Sequence, residues 1–312
     1  MAPARAPADA SASTPVVTSL PALLLPWPIS LFSLSWVWVA EPGGQNEPPS
    51  GPYHRAVTDL FSIENKTALV TGGSRGIGLM IARGFAEAGA KVYISSRKAE
   101  VCESVAAEIV AAGGDCVPLP ANLATEAECI RLASEVSGRE EKLDILVNNA
   151  GATWGAPLEE FDEAAFERVL ALNVKAVFHL TKALVPLLEA AGTVDEPARV
   201  VNIGSIDGLR VPVMETYSYS ASKAAVHQLT RHLARRLAPL VTVNAIAPGP
   251  FESKMMAATL RAFGDEIAAS APLKRIGRPD DMAGAAIYLC SRAGAYLTGA
   301  VIPVDGGIAT LC

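Results

Sequence analysis

Thr67-Ala-Leu-Val-Thr71 runs straight into Gly72-Gly-Ser-Arg-Gly-Ile-Gly78, and from residue 76 a helical pattern carries on to residue 88. This order of strand, glycine turn and helix decides the fold class. An unbroken run of apolar and β-branched residues describes a strand buried on both faces, as in a parallel sheet. Glycines let the chain turn tightly and bring its backbone against a pyrophosphate, while the helix amino terminus offers free N–H groups and a partial positive charge. A bare strand-to-helix turn has the same look, so the reading leans on what surrounds it.

Outward from that unit the pattern repeats. Apolar runs at 91–95, 115–120, 144–148, 199–203, 241–246 and 301–304 join 67–71 to make seven expected strands. Helical stretches are expected at 76–88, 99–112, 125–137, 166–190, 217–237 and 280–289, with a bend at Pro186 in the longest. Such alternation predicts an α/β fold, a parallel sheet with helices on both faces, and ligands at the carboxyl ends of its strands.

The chain has 312 residues, half of them hydrophobic and 19% charged, enough apolar material for a large core and too little charge for a mostly disordered chain. A net charge of −6 without any Lys/Arg cluster argues against nucleic acid as a partner. Cys102, Cys116, Cys129, Cys290 and Cys312 are scattered and never spaced C-x-x-C, which disfavours zinc and favours a reducing compartment, the cytoplasm by default.

Composition shifts near residue 60. Residues 1–59 read as a low-order, Pro-rich, apolar amino-terminal extension, with Trp27, Trp36 and Trp38 and no charge between Asp9 and Glu41. Pro21, Pro26 and Pro28 interrupt it as a membrane span, and it lacks the basic start of a secretory signal. A removed or membrane-associating leader, a disordered appendage and a mistaken gene start remain equal readings. Membrane or organelle association through residues 10–40 is expected only under the first, and residues 60–312 are left as the folded unit.

The second strand ends in Ser95-Ser96-Arg97-Lys98, where an NAD site would carry an acidic residue for the ribose 2′-hydroxyl. Arg75 and Arg97 suit a 2′-phosphate instead, because guanidinium pairs with phosphate bidentately. NADP is therefore favoured over NAD, against the plainer view that both arginines are solvated.

Tyr219-Ser220-Ala221-Ser222-Lys223 opens a long helical pattern. Spacing i, i+4 places the ammonium beside the phenol, where a cation would lower the phenol pKa from about 10 and make proton transfer useful. A Tyr–Lys pair on a helix surface is the plain alternative, and Tyr217 is a decoy whose i+4 residue is Ala221. Ser205, in Asn202-Ile-Gly-Ser205, ends a strand at the expected crevice and can donate to a carbonyl. Asn173 is an amide among apolar helical residues and needs a partner. Asn148-Asn149-Ala150-Gly151 closes another strand with groups suited to a cofactor edge.

Together these motifs resemble the short-chain dehydrogenase/reductase family: T-G-x-x-x-G-I-G, N-N-A-G, the Asn–Ser–Tyr–Lys set, Pro248-Gly249 and Val304-Asp-Gly-Gly307 occur in the family's order across residues 60–312. Within it the segments look most like 3-oxoacyl-[acyl-carrier-protein] reductases of the rhamnolipid-biosynthesis type. The resemblance implies a Rossmann-type doubly wound single domain and NADPH-dependent carbonyl reduction. Asn173, Ser205, Tyr219 and Lys223 would be catalytic, with Asn173 positioning a relay water and Lys223 lowering the Tyr219 pKa. Gly72, Ser74, Arg75, Gly76, Ile77, Gly78, Ser96, Arg97, Asn122, Leu123, Asn149, Ala150, Gly151, Tyr219, Lys223, Pro248 and Gly249 would hold the cofactor. Asn122 stands where the family usually has Asp, implying weaker adenine binding. The family's tetramers form through long helices and the last strand, so a homo-oligomer is expected.

Leu209, Val211, Val213 and Met214, with Trp154, offer an apolar lining for an acyl-thioester substrate. Phe251, Met255, Met256, Leu260 and Phe263 could form a lid or equally be core. The alternatives are a dehydrogenase of a sugar acid, polyol or other secondary alcohol, and a cofactor-sensing protein without turnover.

Overall fold

A run of β-branched and aliphatic residues at Thr67–Thr71 (β1) is buried along its whole length, and the sheet grows from it in both directions. The computed structural model describes residues 57–311; the amino-terminal extension lies outside them. In chain order the elements are α1 (Val57–Leu60), β1, α2 (Gly76–Glu87), β2 (Lys91–Ser95), α3 (Ala99–Ala111), β3 (Asp115–Pro118), α4 (Glu126–Ser137) and β4 (Ile145–Asn148). Then follow α5 (Glu163–Leu170), a π turn (Ala171–Lys175), α6 (Ala176–Ala191), β5 (Ala198–Ile203), α7 (Tyr217–Leu237), β6 (Val241–Pro248), α8 (Ala257–Ser270), α9 (Pro279–Cys290), β7 (Val301–Val304) and α10 (Ile308–Leu311).

The seven strands form one parallel sheet in the order β3-β2-β1-β4-β5-β6-β7. One face buries Ile81, Phe85 and Ile94 with α2, α3 and α9; the other buries Leu69, Leu146 and Leu184 with α4, α6 and α7. The expected doubly wound, Rossmann-type α/β sheet is what the chain forms. Strand order reverses between β1 and β4, so a crevice opens where both strands end, the general place for a ligand in such sheets.

Several boundaries differ from expectation. β3 stops at Pro118 and β6 runs on to Pro248. The long helix starts three residues early because Asp162 caps it, its carboxylate accepting from the Ala164 N–H at 3.0 Å. It continues through Pro186, and its irregularity lies upstream, in the π turn. By length and composition Glu163–Ala191 could cross a membrane, but Val177, Leu180 and Leu184 are buried in the core. α8 was not expected as a separate helix; none of its residues is fully buried, and Phe263 breaks it with φ −136°.

Candidate active site

Thr71, the last residue of β1, ties the two strands at the crevice. Its hydroxyl donates to the Val147 carbonyl and accepts from the N–H groups of Asn149 (2.9 Å) and Ala150 (3.0 Å). The Asn149 amide donates to the Thr71 carbonyl at 2.8 Å. Asn148 faces the other way: its amide donates to Asn202 (2.9 Å) and Thr181 (3.0 Å), and Asn202 donates to Thr230, so a buried amide chain underlies the site instead of lining it.

The glycine loop is shaped for close approach. Gly72 has φ +67° and its N–H donates to the Ser95 carbonyl at 2.7 Å. A Cβ on Gly78 would lie 2.4 Å from the Gly72 oxygen and 2.4 Å from the Asn149 amide nitrogen. Ser74 is buried, Ile77 is half-buried, and Arg75 precedes α2 without capping it, which leaves the N–H groups from Gly76 onward available to an anion. Arg75 and Arg97 are exposed, and neither has an ion-pair partner among the described residues. This cradle fits a dinucleotide phosphate, with Ser96 and Arg97 at the end of β2.

Asn122 is exposed with its N–H donated to Glu128 at 3.3 Å, so its side chain is free to face an adenine. Leu123 is only 4% exposed and packs in the core, so only its backbone is placed for a cofactor role. Pro248 ends β6, and the Gly249 N–H donates to the Val304 carbonyl at 3.0 Å. Asp305 folds that corner, accepting from Gly307 (2.9 Å) and Ala309 (2.6 Å).

The four expected catalytic side chains converge. Asn173 lies on the π turn, a helix irregularity frequent at functional sites. Its oxygen accepts from the Ala152 N–H (2.8 Å), and its nitrogen donates to the Ala152 carbonyl (2.9 Å) and to Ser222 (2.9 Å). Ser222 in turn donates to the Tyr219 carbonyl at 2.7 Å, which fixes Asn173 to the first turn of α7. Lys223 is buried on the same face; a Cβ on Gly151 would lie 3.2 Å from the Asn173 oxygen and 3.8 Å from the Lys223 nitrogen, so the two groups flank Gly151.

Ser205 follows β5, its hydroxyl accepting from the Asp207 N–H at 3.1 Å. Tyr219 is half-buried beside it. Burial pushes the phenol up to about 12, opposed by the neighbouring Ser205 hydroxyl, while the Asp207 carboxylate pushes it further up. Burial pulls Lys223 down to about 8, with Asp207 acting against that shift. The expected depression of the Tyr219 pKa by Lys223 is therefore corrected: the ammonium donates to the Ile203 carbonyl at 2.7 Å and lies 5.5 Å from the centre of the phenol ring. Desolvation dominates the pair. Tyr217 points outward and donates to Glu215 at 2.8 Å, so it takes no part.

A family model described as enoyl-(acyl carrier protein) reductase matches residues 72–309. The rhamnolipids biosynthesis 3-oxoacyl-[acyl-carrier-protein] reductase of Pseudomonas aeruginosa is 49% identical over 79% of this chain and 97% of its own. The chain is a short-chain dehydrogenase/reductase. A gluconate 5-dehydrogenase of Gluconobacter oxydans is 34% identical over 80% of this chain and 97% of its own. Among solved structures, a Pseudomonas aeruginosa RhlG/NADP active-site complex superposes with a TM-score of 0.78 at 48% identity, covering 80% of this chain and 99% of that one.

Membership makes the chain an oxidoreductase acting on C–OH or C=O groups. In this short-chain dehydrogenase/reductase, Thr71, Ser222, Asp207 and His227 also stand at the site, beyond the residues the motifs point to. Thr71 and Ser222 stand inside the quoted motifs, and His227 lies one helical turn past Lys223, so these three carried a short-range signal; Asp207 reaches the site only through tertiary packing. The apolar lining also divides. Phe251 is 2% exposed and belongs to the core, whereas Met255 and Phe263 stand out in solvent.

Proposed function

We propose that the chain is an NADPH-dependent carbonyl reductase acting on 3-oxoacyl thioesters, with Tyr219 as general acid. The observation that carries this is the clustering of Ser205, Tyr219, Lys223 and Asn173 at the carboxyl end of the sheet: buried Lys223 donates to the Ile203 carbonyl and lies 5.5 Å from the centre of the Tyr219 ring, and Ser222 links Asn173 to the Tyr219 carbonyl. When bound, the cofactor supplies the hydride. Ser205 and Tyr219 donate to the carbonyl oxygen and stabilise the charge that grows on it, and Tyr219 gives it the proton. A phenol held up by burial is protonated at neutral pH and gives up its proton only as the carbonyl oxygen gains charge. Asn173 holds the Ala152 backbone and α7 in register, and Lys223 supplies a fixed charge beneath the phenol. Arg75 and Arg97 would hold a 2′-phosphate, with Asn122 at the adenine.

The apolar mouth supports an acyl chain. Val211 is 91% and Val213 99% exposed, with Leu209 and Met214 beside them on the segment that links Ser205 to Tyr219. Beside the end of that segment, where the Ala156 N–H donates to the Glu215 carbonyl (3.3 Å), Phe161 stacks edge-on against Tyr217 at 5.4 Å, and the Arg168 guanidinium covers Trp154 at 5.1 Å. Exposed apolar groups around a polar centre mark a binding surface. The similarity to a gluconate 5-dehydrogenase favours a second reading, oxidation of a sugar acid or polyol. Exposed Ile130 and Phe178 on the α4–α6 surface support a homo-oligomer, and four buried free cysteines support the cytoplasm.

The test is NADPH consumption with 3-oxoacyl thioesters of increasing length, with Tyr219→Phe as the blank. The expected outcome is turnover that rises with chain length and falls by about 10²- to 10⁴-fold in the variant, the usual worth of a positioned acid. Oxidation of gluconate or a polyol instead would favour the second reading. NADPH binding without turnover of either class would leave a cofactor-sensing protein.

A further inference from the structure

His227 stands one helical turn beyond Lys223 and two beyond Tyr219, so α7 presents all three on one face. It is 3% exposed, and neither ring nitrogen has a hydrogen-bond partner of good geometry. Burial, opposed by a backbone contact at Gly208 and reinforced by the Lys223 and Arg231 charges, pushes its pKa down to about 4. The ring is thus uncharged at neutral pH. A buried unpaired imidazole costs stability that an aliphatic side chain would not, so its shape calls for an explanation.

Two glycines supply it. A Cβ on Gly204 would fall 2.1 Å from His227 Nε2 and 2.7 Å from Cδ2, and one on Gly208 would fall 2.9 Å from Cε1. The edge of the flat ring fills the space that the absent Gly204 Cβ leaves, and at Gly208 it shares that space with the α7 backbone at Lys223 and Ala224 (2.6 and 2.7 Å). Between those glycines lies the turn that carries Ser205. The turn is also tied by the Gly204 N–H to the Ile246 carbonyl (2.7 Å), the Gly208 N–H to the Ser205 carbonyl (3.0 Å), the Leu209 and Arg210 N–H groups to the Ile206 carbonyl (2.9 Å each), the Ser220 hydroxyl to the Asp207 carbonyl (2.7 Å), and Ile206 packed with Ala271 and Ile308; His227 is the contact that reaches both of its glycine ends.

We propose that His227 is a positioning residue, a flat wedge between Gly204 and Gly208 that holds the Ser205–Asp207 turn and so aims the Ser205 hydroxyl. The proposal rests on the reading of Ser205 as a carbonyl donor, while the wedge itself can be tested without turnover. In the full chain, Gly204→Ala should lower Tm sharply, and adding His227→Ala should restore most of the loss by vacating the space. His227→Ala alone should speed amide exchange across residues 204–209 and leave the rest of α7 unchanged. Failure of the double variant to recover, or unchanged exchange in the turn, overturns the wedge.

The link to catalysis is read with NADPH and acetoacetyl-CoA. His227→Ala should lower kcat by about 10- to 100-fold, the scale of a small misplacement, with KM for NADPH unchanged. In a Ser205→Ala background the same change should cost less than about twofold, since coupled residues are not additive. Equal losses in both backgrounds would reduce His227 to a general packing residue. If the wild-type protein does not turn over this thioester, the substrate reading fails while the Tm and exchange results still decide the wedge.

Discussion

The two sides of the crevice are built on opposite terms. On the β1–β2 side the surface offered to a ligand is backbone: Gly72 and Gly78 packed against Asn149, Thr71 holding Asn149 and Ala150, and the uncapped start of α2. On the far side, from Leu209 to Met214, it is side chain: Leu209, Val211, Val213 and Met214 stand largely in solvent. A backbone site tolerates little change where its glycines already touch backbone and Asn149, as Gly72 and Gly78 do. A rim of exposed aliphatic groups can be exchanged without touching the fold, so specificity can vary there while the cofactor cradle stays fixed.

Gly78→Ala should separate the sides most sharply. The new methyl would meet the Gly72 backbone, which cannot rotate away. Overpacking of this kind costs about 1–3 kcal/mol, and NADPH binding should be lost with it. Retained affinity in a fluorescence titration would mean that the loop has slack and the comparison is overdrawn.

Arg97→Ala should act on cofactor choice alone. Losing a charge-assisted phosphate contact is worth about tenfold or more in affinity, so the Kd for NADPH should rise by that factor while that for NADH stays put. Equal changes for both would move Arg97 away from the 2′-phosphate. A smaller effect is expected from replacing Val211 and Val213 together by serine. Both are exposed, so Tm should not move; partial burial of each under an acyl chain is worth roughly 1 kcal/mol, which predicts a KM several-fold higher for long thioesters and unchanged for short ones.

The same contrast governs what could be read in advance. The glycine loop, N-N-A-G and the Tyr219–Lys223 spacing are short-range patterns, and all of them meet at the reversal of strand order. The seven strands were legible because buried parallel strands are continuous apolar runs. The π turn was not: an extra residue between Ala171 and Lys175 leaves the apolar pattern of the long helix intact. α8 carried only an ambiguous signal, apolar residues at helical spacing that suited a lid or a core equally, because a helix with no fully buried residue has no core face to decide between them. The raised Tyr219 phenol was missed because neighbouring charge can be counted along a sequence and desolvation cannot.

Asp207 offers the finest adjustment, since it touches the site electrostatically from the rim side. Burial raises its own pKa, with Arg210 and Lys223 opposing, and its charge raises the pKa of both Tyr219 and Lys223. Asp207→Asn should therefore lower the Tyr219 pKa. Carbonyl reduction needs the protonated phenol and fails as pH rises through that pKa, so the alkaline limb of kcat should move to lower pH; for alcohol oxidation, which needs phenolate, the rising limb should move the same way. Stability should change in the other sense. A carboxyl whose folded pKa lies above its unfolded value binds more protons when folded, so it lowers stability as pH rises through that window, and at neutral pH the ionised form is a cost. Asp207→Asn should then raise Tm at neutral pH and lose that advantage at pH values below the carboxylate range. A pH profile that does not move, together with an unchanged Tm, would place the carboxylate in solvent and confine the control of Tyr219 to burial and Ser205.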